Sequence, residues 1–182
     1  MMKLIKTNRI KFIALMGITI VIFALWQIWI ESSHAKLIVG STNTLLRAVG
    51  SERYFEFEKT KDASLFWVHT IVEGRKAKFS QKIGSLLQPT VMILAWQLFL
   101  FLAINKRKAL RLLIINLGIF SLLQIIFLLQ LMGYHTSPIQ KFIYEFFVSS
   151  FYVIALIFVI KDHFFYNVFG MQVSTETDRV KQ

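Results

Sequence analysis

Apolar residues in this chain fall into four long runs, separated by shorter segments that carry most of the charges. The runs span 12–30, 86–104, 112–132 and 142–160, and Glu145 is the only formally charged residue inside them. A helix of about 20 apolar residues covers the hydrocarbon core of a bilayer. The pattern therefore predicts an α-helical integral membrane protein with four transmembrane helices.

The first run also has features of a signal peptide, because the basic stretch 1–11 precedes it. The apolar core of a signal peptide is shorter, about 7–15 residues, and no small-residue cleavage site follows this run. Trp26 and Trp29 lie where interfacial aromatic residues are expected. An uncleaved first transmembrane helix is the favoured interpretation.

The segment 31–85 is long enough to fold outside the bilayer. Residues 34–50 place apolar positions at helical spacing and end at a glycine, which predicts an amphipathic helix along the membrane surface. Charged and aromatic residues alternate in 53–59, and the β-branched and aromatic stretch 64–81 has a turn signal at Gly74. We predict a small α+β segment with two or three antiparallel strands.

Aromatic side chains of this segment are candidates for a partner-binding surface, since exposed aromatic residues are enriched at interfaces. The alternative is that they form the segment's own small core. The candidates are Phe55, Phe57, Phe66 and Trp67.

Composition and charge agree with a membrane protein. The 182 residues are 55% hydrophobic and only 17% charged, whereas soluble domains are about 25% charged. The formal net charge of +11 does not indicate nucleic-acid binding here, because Lys and Arg collect in the cytoplasmic loops of membrane proteins. The bilayer itself is the partner that these features indicate.

The distribution of basic residues predicts the orientation. The stretch 1–11 contains four basic residues, whereas the connector 133–141 contains only Lys141. Short basic loops stay in the cytoplasm, although the rule weakens for a long loop such as 31–85. Both termini and the connector 105–111 are therefore predicted to be cytoplasmic. The topology-determining residues of that connector are Lys106, Arg107, Lys108 and Arg111.

Four regions follow from these patterns. They are the basic N-terminus with the first transmembrane helix (1–30), the extracytoplasmic segment (31–85), the bundle of the other three helices (86–160), and an aromatic interfacial segment with a polar tail (161–182).

Residues able to carry chemistry are scarce. The chain has no cysteine, and its four histidines lack metal-binding spacing. His34 and His135 both fall near the predicted outer surface, but no carboxylate accompanies them. No nucleotide-binding or nucleophile motif is present. We therefore expect no catalytic residues, no metal and no cofactor.

Amide side chains are the main polar groups inside the predicted helices. Such amides usually form hydrogen bonds between transmembrane helices, and lining a substrate path is the alternative. The candidates for helix–helix contacts are Gln97, Asn116, Gln124 and Gln130.

The layout resembles that of small membrane proteins associated with exosortases of the H type. The likeness lies in "FALWQIWI" at the end of the first run, "KAKFSQKIGSLLQPTVMILAWQLFLFLA" leading into the second, the basic "NKRKALR", and the glutamines of "FSLLQIIFLLQ". The resemblance implies a location in the bacterial inner (cytoplasmic) membrane. It also implies an accessory role in sorting or anchoring exported proteins, with any nucleophilic cysteine supplied by the exosortase.

The leading hypothesis is a non-catalytic accessory protein that binds a larger integral membrane protein. A subunit of a small transporter or channel is one alternative, motivated by the amides. A membrane sensor whose extracytoplasmic segment binds a ligand is another.

Overall fold

A computed structural model describes residues 8–60, 64–166 and 168–169. Four helical stretches in this part of the chain are long and apolar enough to cross a membrane: Asn8–Ala48, Gly84–Ala103, Lys106–Gly133 and Pro138–Tyr166. This confirms the predicted number of long apolar helices. The predicted polar tail, residues 173–182, lies outside the described residues.

The elements follow one another as a long helix, a small sheet and three further long helices. They are α1 (Asn8–Leu25), a π-helical turn (Trp26–Ile30), α2 (Glu31–Ala48), β1 (Tyr54–Lys59), β2 (Ser64–Val72), β3 (Arg75–Lys82), α3 (Gly84–Leu87), α4 (Pro89–Ala103), α5 (Lys106–Gln130), a 3₁₀ turn (Leu131–Gly133) and α6 (Pro138–Tyr166).

The first helical stretch is continuous over 41 residues, a length of about 60 Å. The π-helical turn accommodates a change of register without ending the helix. The predicted helix over 34–50 is present as α2, and it continues directly from the first apolar helix, because nothing breaks the helix between the apolar run and α2. Gly50, at φ +70°, ends it as predicted, and Ser51 N donates to Leu46 O at 2.9 Å.

The three strands form one antiparallel sheet in the order β1-β2-β3, which confirms the predicted strands. Glu73 and Gly74 connect β2 to β3 with positive φ angles of 50° and 76°. Two such residues form the hairpin turn whose twist matches that of the strands. Lys59 ties the end of β1 to the first helical stretch, since its Nζ donates to Gln27 O at 2.8 Å.

The helix α4 is central to the bundle, where it packs against α1, α5 and α6. Most of its side chains are buried, whereas Ile22 is the buried residue of α1. The exposed apolar side chains of α1 make it the outermost of the long helices. The inner face of the sheet packs on the bundle, where Thr70 Oγ1 donates to Met132 O at 3.0 Å.

Two helix boundaries differ from the sequence prediction. The helix α5 begins at Lys106, so the predicted connector 105–111 is mostly its first turns, with Asn105 Oδ1 accepting from Arg107 N at 2.9 Å. Lys and Arg are good helix formers, and their charge does not end a helix. The helix α6 continues past 160 to Tyr166, which brings Asp162 inside a helix.

Candidate functional site

The outward face of the sheet is a surface of aromatic and charged side chains. Strand register places Tyr54 opposite His69 and Glu56 opposite Trp67, and it places His69 opposite Lys78. Side chains directly opposite each other in a sheet share one face. This surface, named the outward face below, consists of Tyr54, Glu56, Glu58, Trp67, His69 and Lys78.

The side chains of the outward face contact one another in a connected network. The rings of Tyr54 and His69 stack with centroids 4.0 Å apart. His69 Nε2 lies 3.0 Å from Glu56 Oε2, and Lys78 Nζ lies 3.4 Å from the same oxygen. Lys78 Nζ also lies 4.6 Å from the centre of the Trp67 ring. These contacts orient two aromatic rings, those of the exposed Tyr54 and the half-buried Trp67.

Glu56 is the electrostatic centre of this network. The hydrogen bond from His69 holds the pKa of the Glu56 carboxyl below its ordinary value of 4.5, and Lys78 acts in the same direction. The carboxylate is thus charged at neutral pH and keeps both partners in place. Beside it lies a cleft of about 200 Å³ between Tyr54, His69 and Lys76.

Two of the four predicted partner-binding aromatics are unavailable to a partner. Phe55 and Phe66 are only 1% and 0% exposed, and Phe57 packs partly buried against the same core. They lie on the inner face of the sheet, so the alternative that these aromatics form a small core is the correct one for them. Trp67 alone of the four lies on the outward face, where its Nε1 donates to Glu58 Oε2 at 2.5 Å.

A buried polar cluster joins α4, α5 and α6 at the end of the bundle away from the sheet. Asp162 is fully buried, and its Oδ2 accepts from Gln97 Nε2 and Asn116 Nδ2, each at 2.7 Å. Asn116 Oδ1 accepts from Lys161 Nζ at 2.7 Å. Lys161 Nζ lies at ion-pair distance from Asp162 Oδ1, 3.2 Å, but outside hydrogen-bond geometry. The cluster is a carboxylate held by two amides and one lysine.

A second polar cluster lies nearer the sheet, about 12 Å along α5 from the first. Gln124 Oε1 accepts from His34 Nε2 at 2.8 Å, and Gln124 Nε2 donates to Leu86 O at 2.7 Å. Gln124 Nε2 also lies 3.2 Å from Thr90 Oγ1. This cluster joins α2, α3, α4 and α5.

The structure thus brings three of the four predicted amides, Gln97, Asn116 and Gln124, into contacts between helices. Gln130 is half-buried, and its side chain forms no hydrogen bond with a described residue. The predicted topology-determining residues occupy exposed positions at the start of α5: Lys106, Arg107, Lys108 and Arg111.

Metal binding finds no support among residues 8–60, 64–166 and 168–169, where no group of three or more His, Asp or Glu side chains converges. His34 is engaged by Gln124, and the His135 ring packs against the Phe79 ring at 4.4 Å.

Sequence reasoning missed Tyr54, Glu56, His69, Lys78 and Asp162. For the outward face a signal existed, because a two-residue turn at Glu73 and Gly74 fixes which residues of β2 and β3 are opposite each other. For Asp162 the sequence offered no such signal, since Asp162 follows the last apolar run.

No protein-family model, curated protein or solved structure matches the chain.

Proposed function

We propose that this protein is a non-catalytic accessory protein of the bacterial cytoplasmic membrane, where it binds a larger integral membrane protein. The outward face carries the proposal. Tyr54 is 41% exposed, and Trp67 is held beside it by Glu58 and Lys78. Tyr and Trp dominate the binding energy of protein interfaces, most of all where neighbouring groups hold them in place.

The layout of the chain favours a partner from a protein-sorting system of the exosortase kind. The layout resembles that of exosortase-associated proteins in its basic N-terminus, its helix-and-strand segment and the basic turn at the start of α5. In this proposal the cysteine chemistry belongs to the partner. The present chain, which has no cysteine, holds the partner or its cargo at the outer surface.

The decisive experiment is affinity purification from native membranes in a mild detergent. The chain is expected to recover a membrane peptidase or transpeptidase with a cysteine nucleophile in stoichiometric amount. Combined Tyr54→Ala and Trp67→Ala substitutions should release that partner. Phe164→Ala is the matched control, because Phe164 is 78% exposed near the end of α6 that lies away from the sheet. Recovery of the chain alone, or a partner that survives the double substitution, would refute the proposal.

The proposed topology places both termini and the start of α5 in the cytoplasm and the sheet outside. The absence of native cysteine permits a direct test with single cysteines at Glu73 and Lys108, which are both exposed. A membrane-impermeant maleimide added to intact cells, with an outer membrane made permeable, should label Glu73→Cys and not Lys108→Cys. The reverse pattern would show the opposite orientation.

A transporter or channel subunit is the second candidate, and Asp162 is the observation that favours it. Ionisable groups inside membrane helices often mark ion pathways, and both Asp162 Oδ1 and Gln97 Oε1 are buried without a hydrogen bond from a described residue. This candidate predicts that Gln97→Leu abolishes flux in proteoliposomes. Unchanged flux in that variant would leave the accessory role as the better account.

A further inference from the structure

The two edges of the sheet differ in how their backbone groups are satisfied. The helix α2 packs along β1, and the Asn43 side chain bonds both backbone groups of Phe55. Its Nδ2 donates to Phe55 O at 2.9 Å, and its Oδ1 accepts from Phe55 N at 2.8 Å. An amide placed in this way occupies the position of a neighbouring strand. The β1 edge is therefore covered.

The other edge, along β3, is open. In an antiparallel pair, alternate residues turn their N–H and C=O groups toward the neighbouring strand. Ile83 N donates to Ser64 O at 3.3 Å, which assigns the odd-numbered residues of β3 to the ladder with β2. The even-numbered residues therefore turn their backbone groups outward, and these groups have no hydrogen bond within the described part of the chain. They are Lys76, Lys78, Ser80 and Lys82.

The charge on this edge selects among possible occupants. The strand reads RKAKFSQK, with four basic residues and no acidic one. Lys76, Lys78 and Lys82 are exposed, and their side chains lie on the same side as Trp67. A second copy of β3 would bring like charges together and is disfavoured. An extended segment with carboxylates at alternate positions would meet the ammonium groups of Lys76 and Lys82, while Lys78 pairs with Glu56.

We propose that the outer edge of β3 is a strand-addition site for an extended acidic segment of the partner. The backbone hydrogen bonds supply alignment, and the lysines supply the preference for carboxylates, as in other cases of strand addition at a sheet edge. The inference rests on the proposed function and refines it. It names the edge that the partner occupies and the charge of the segment that occupies it.

Lysines at an open edge can also have a protective role, since they keep edge strands from aggregating. The two roles differ in what happens when an acidic strand is offered. A protected edge accepts no strand, whereas a strand-addition site accepts an acidic one and rejects a basic one. The hydrogen-bonding requirement further separates strand addition from simple attraction between opposite charges.

The experiment uses the full chain in a neutral detergent at low salt, with three fluorescein-labelled octapeptides read by anisotropy. The first alternates Glu and Val, the second alternates Lys and Val, and the third is the Glu–Val peptide with its alternate amides N-methylated. Only the first is expected to bind. Combined Lys76→Gln and Lys82→Gln substitutions should raise its Kd about tenfold, an effect that salt should diminish.

Two further variants isolate the backbone contribution. Ser80→Pro removes one outward N–H while leaving the ladder with β2 intact, as proline is tolerated on a sheet edge. It should weaken binding of the Glu–Val peptide, whereas Ser80→Ala should not. Lys36→Gln on α2 is the charge control, because Lys36 is exposed and lies outside the sheet. Unchanged circular dichroism of each variant would show that the fold is retained.

Three results would overturn the inference. Failure of the Glu–Val peptide to bind would show that the lysines protect the edge. Equal binding of the N-methylated peptide would show a charge patch of the kind that anionic lipid headgroups occupy. Equal binding by Ser80→Pro and Ser80→Ala would show that the outward backbone groups take no part. Each result can occur while Tyr54 and Trp67 still bind a partner, so the proposed function is tested separately.

Discussion

Replacing Asn116 by Leu is the most direct test of the buried polar cluster. Asn116 is fully buried. It donates to Asp162 and accepts from Lys161, each at 2.7 Å. Leucine has nearly the same size and branching, so the substitution removes two hydrogen bonds without opening a large cavity. The change in unfolding free energy therefore reports mainly on polar contacts.

The expected loss of unfolding free energy depends on the hydrogen-bond partners that Asp162 and Lys161 keep after the substitution. A hydrogen bond to a charged group contributes about 1.5–3 kcal/mol in soluble proteins, whereas bonds between transmembrane helices average about 0.6 kcal/mol. Asp162 keeps Gln97 as a donor, and Lys161 is partly exposed, so water replaces part of its lost contact. We expect Asn116→Leu to lower the unfolding free energy by about 2 kcal/mol.

The assay is reversible unfolding in mixed dodecylmaltoside and sodium dodecyl sulfate micelles, followed by circular dichroism. Gln130→Leu is the matched control, since the Gln130 side chain forms no hydrogen bond with a described residue, and its effect should stay within about 0.5 kcal/mol. Gln97→Leu removes one bond and should fall between the two. Equal effects of Asn116→Leu and Gln130→Leu would refute the view that Asp162 and its amides hold the bundle together.

Three further predictions concern the sheet. Gly74→Ala should destabilise the hairpin by about 1 kcal/mol, because Gly74 has φ +76°; chemical unfolding measures it. Asn43→Ala uncovers the β1 edge, so the Phe55 amide should exchange its hydrogen faster in an NMR exchange experiment. The pKa of Glu56 is lowered by its hydrogen bond from His69, so the network is intact above pH 4.5 and is lost as the pH falls through the lowered pKa.

Each of these predictions has a control within the chain. Gly17→Ala should not destabilise, because an added Cβ there meets nothing within 4 Å. Thr44→Ala removes only an exposed contact to its own helix and should leave the Phe55 exchange rate unchanged. In a ¹³C titration of the Glu56 carboxyl, His69→Gln should raise the midpoint more than Lys78→Gln. An unchanged midpoint in both variants would contradict the assigned cause.

The number of long helices could be predicted from the sequence because uncharged apolar runs of about 20 residues are rare outside membrane-spanning helices. The residues at which these helices begin and end could not be predicted from hydropathy. Charge marks where a helix leaves an apolar environment, but Lys106 begins a helix and Lys161 lies within one. A helix stops where its backbone is capped or turned, as at Asn105 and Gly50, and these signals are local and independent of hydropathy.

The period-2 pattern predicted the strands but did not say which face of the sheet is buried. Phe55 and Phe57 alternate with Tyr54, Glu56 and Glu58, so either set satisfies the pattern. The larger apolar set is buried because α2 and the bundle cover that face, which is a tertiary effect. The aromatics predicted to bind a partner were therefore partly those of the core, and the rings that remain accessible include Tyr54.

The two polar clusters join the helices of the bundle to one another. Thr90 and Gln97 lie seven residues apart on α4, and Asn116 and Gln124 lie eight apart on α5, spacings that keep each pair on one side of its helix. Both clusters therefore lie along the interface between α4 and α5. The cluster nearer the sheet also bonds His34 on α2, the helix that covers the β1 edge of the sheet. This cluster therefore links α2, and with it the side of the sheet that α2 covers, to α3, α4 and α5.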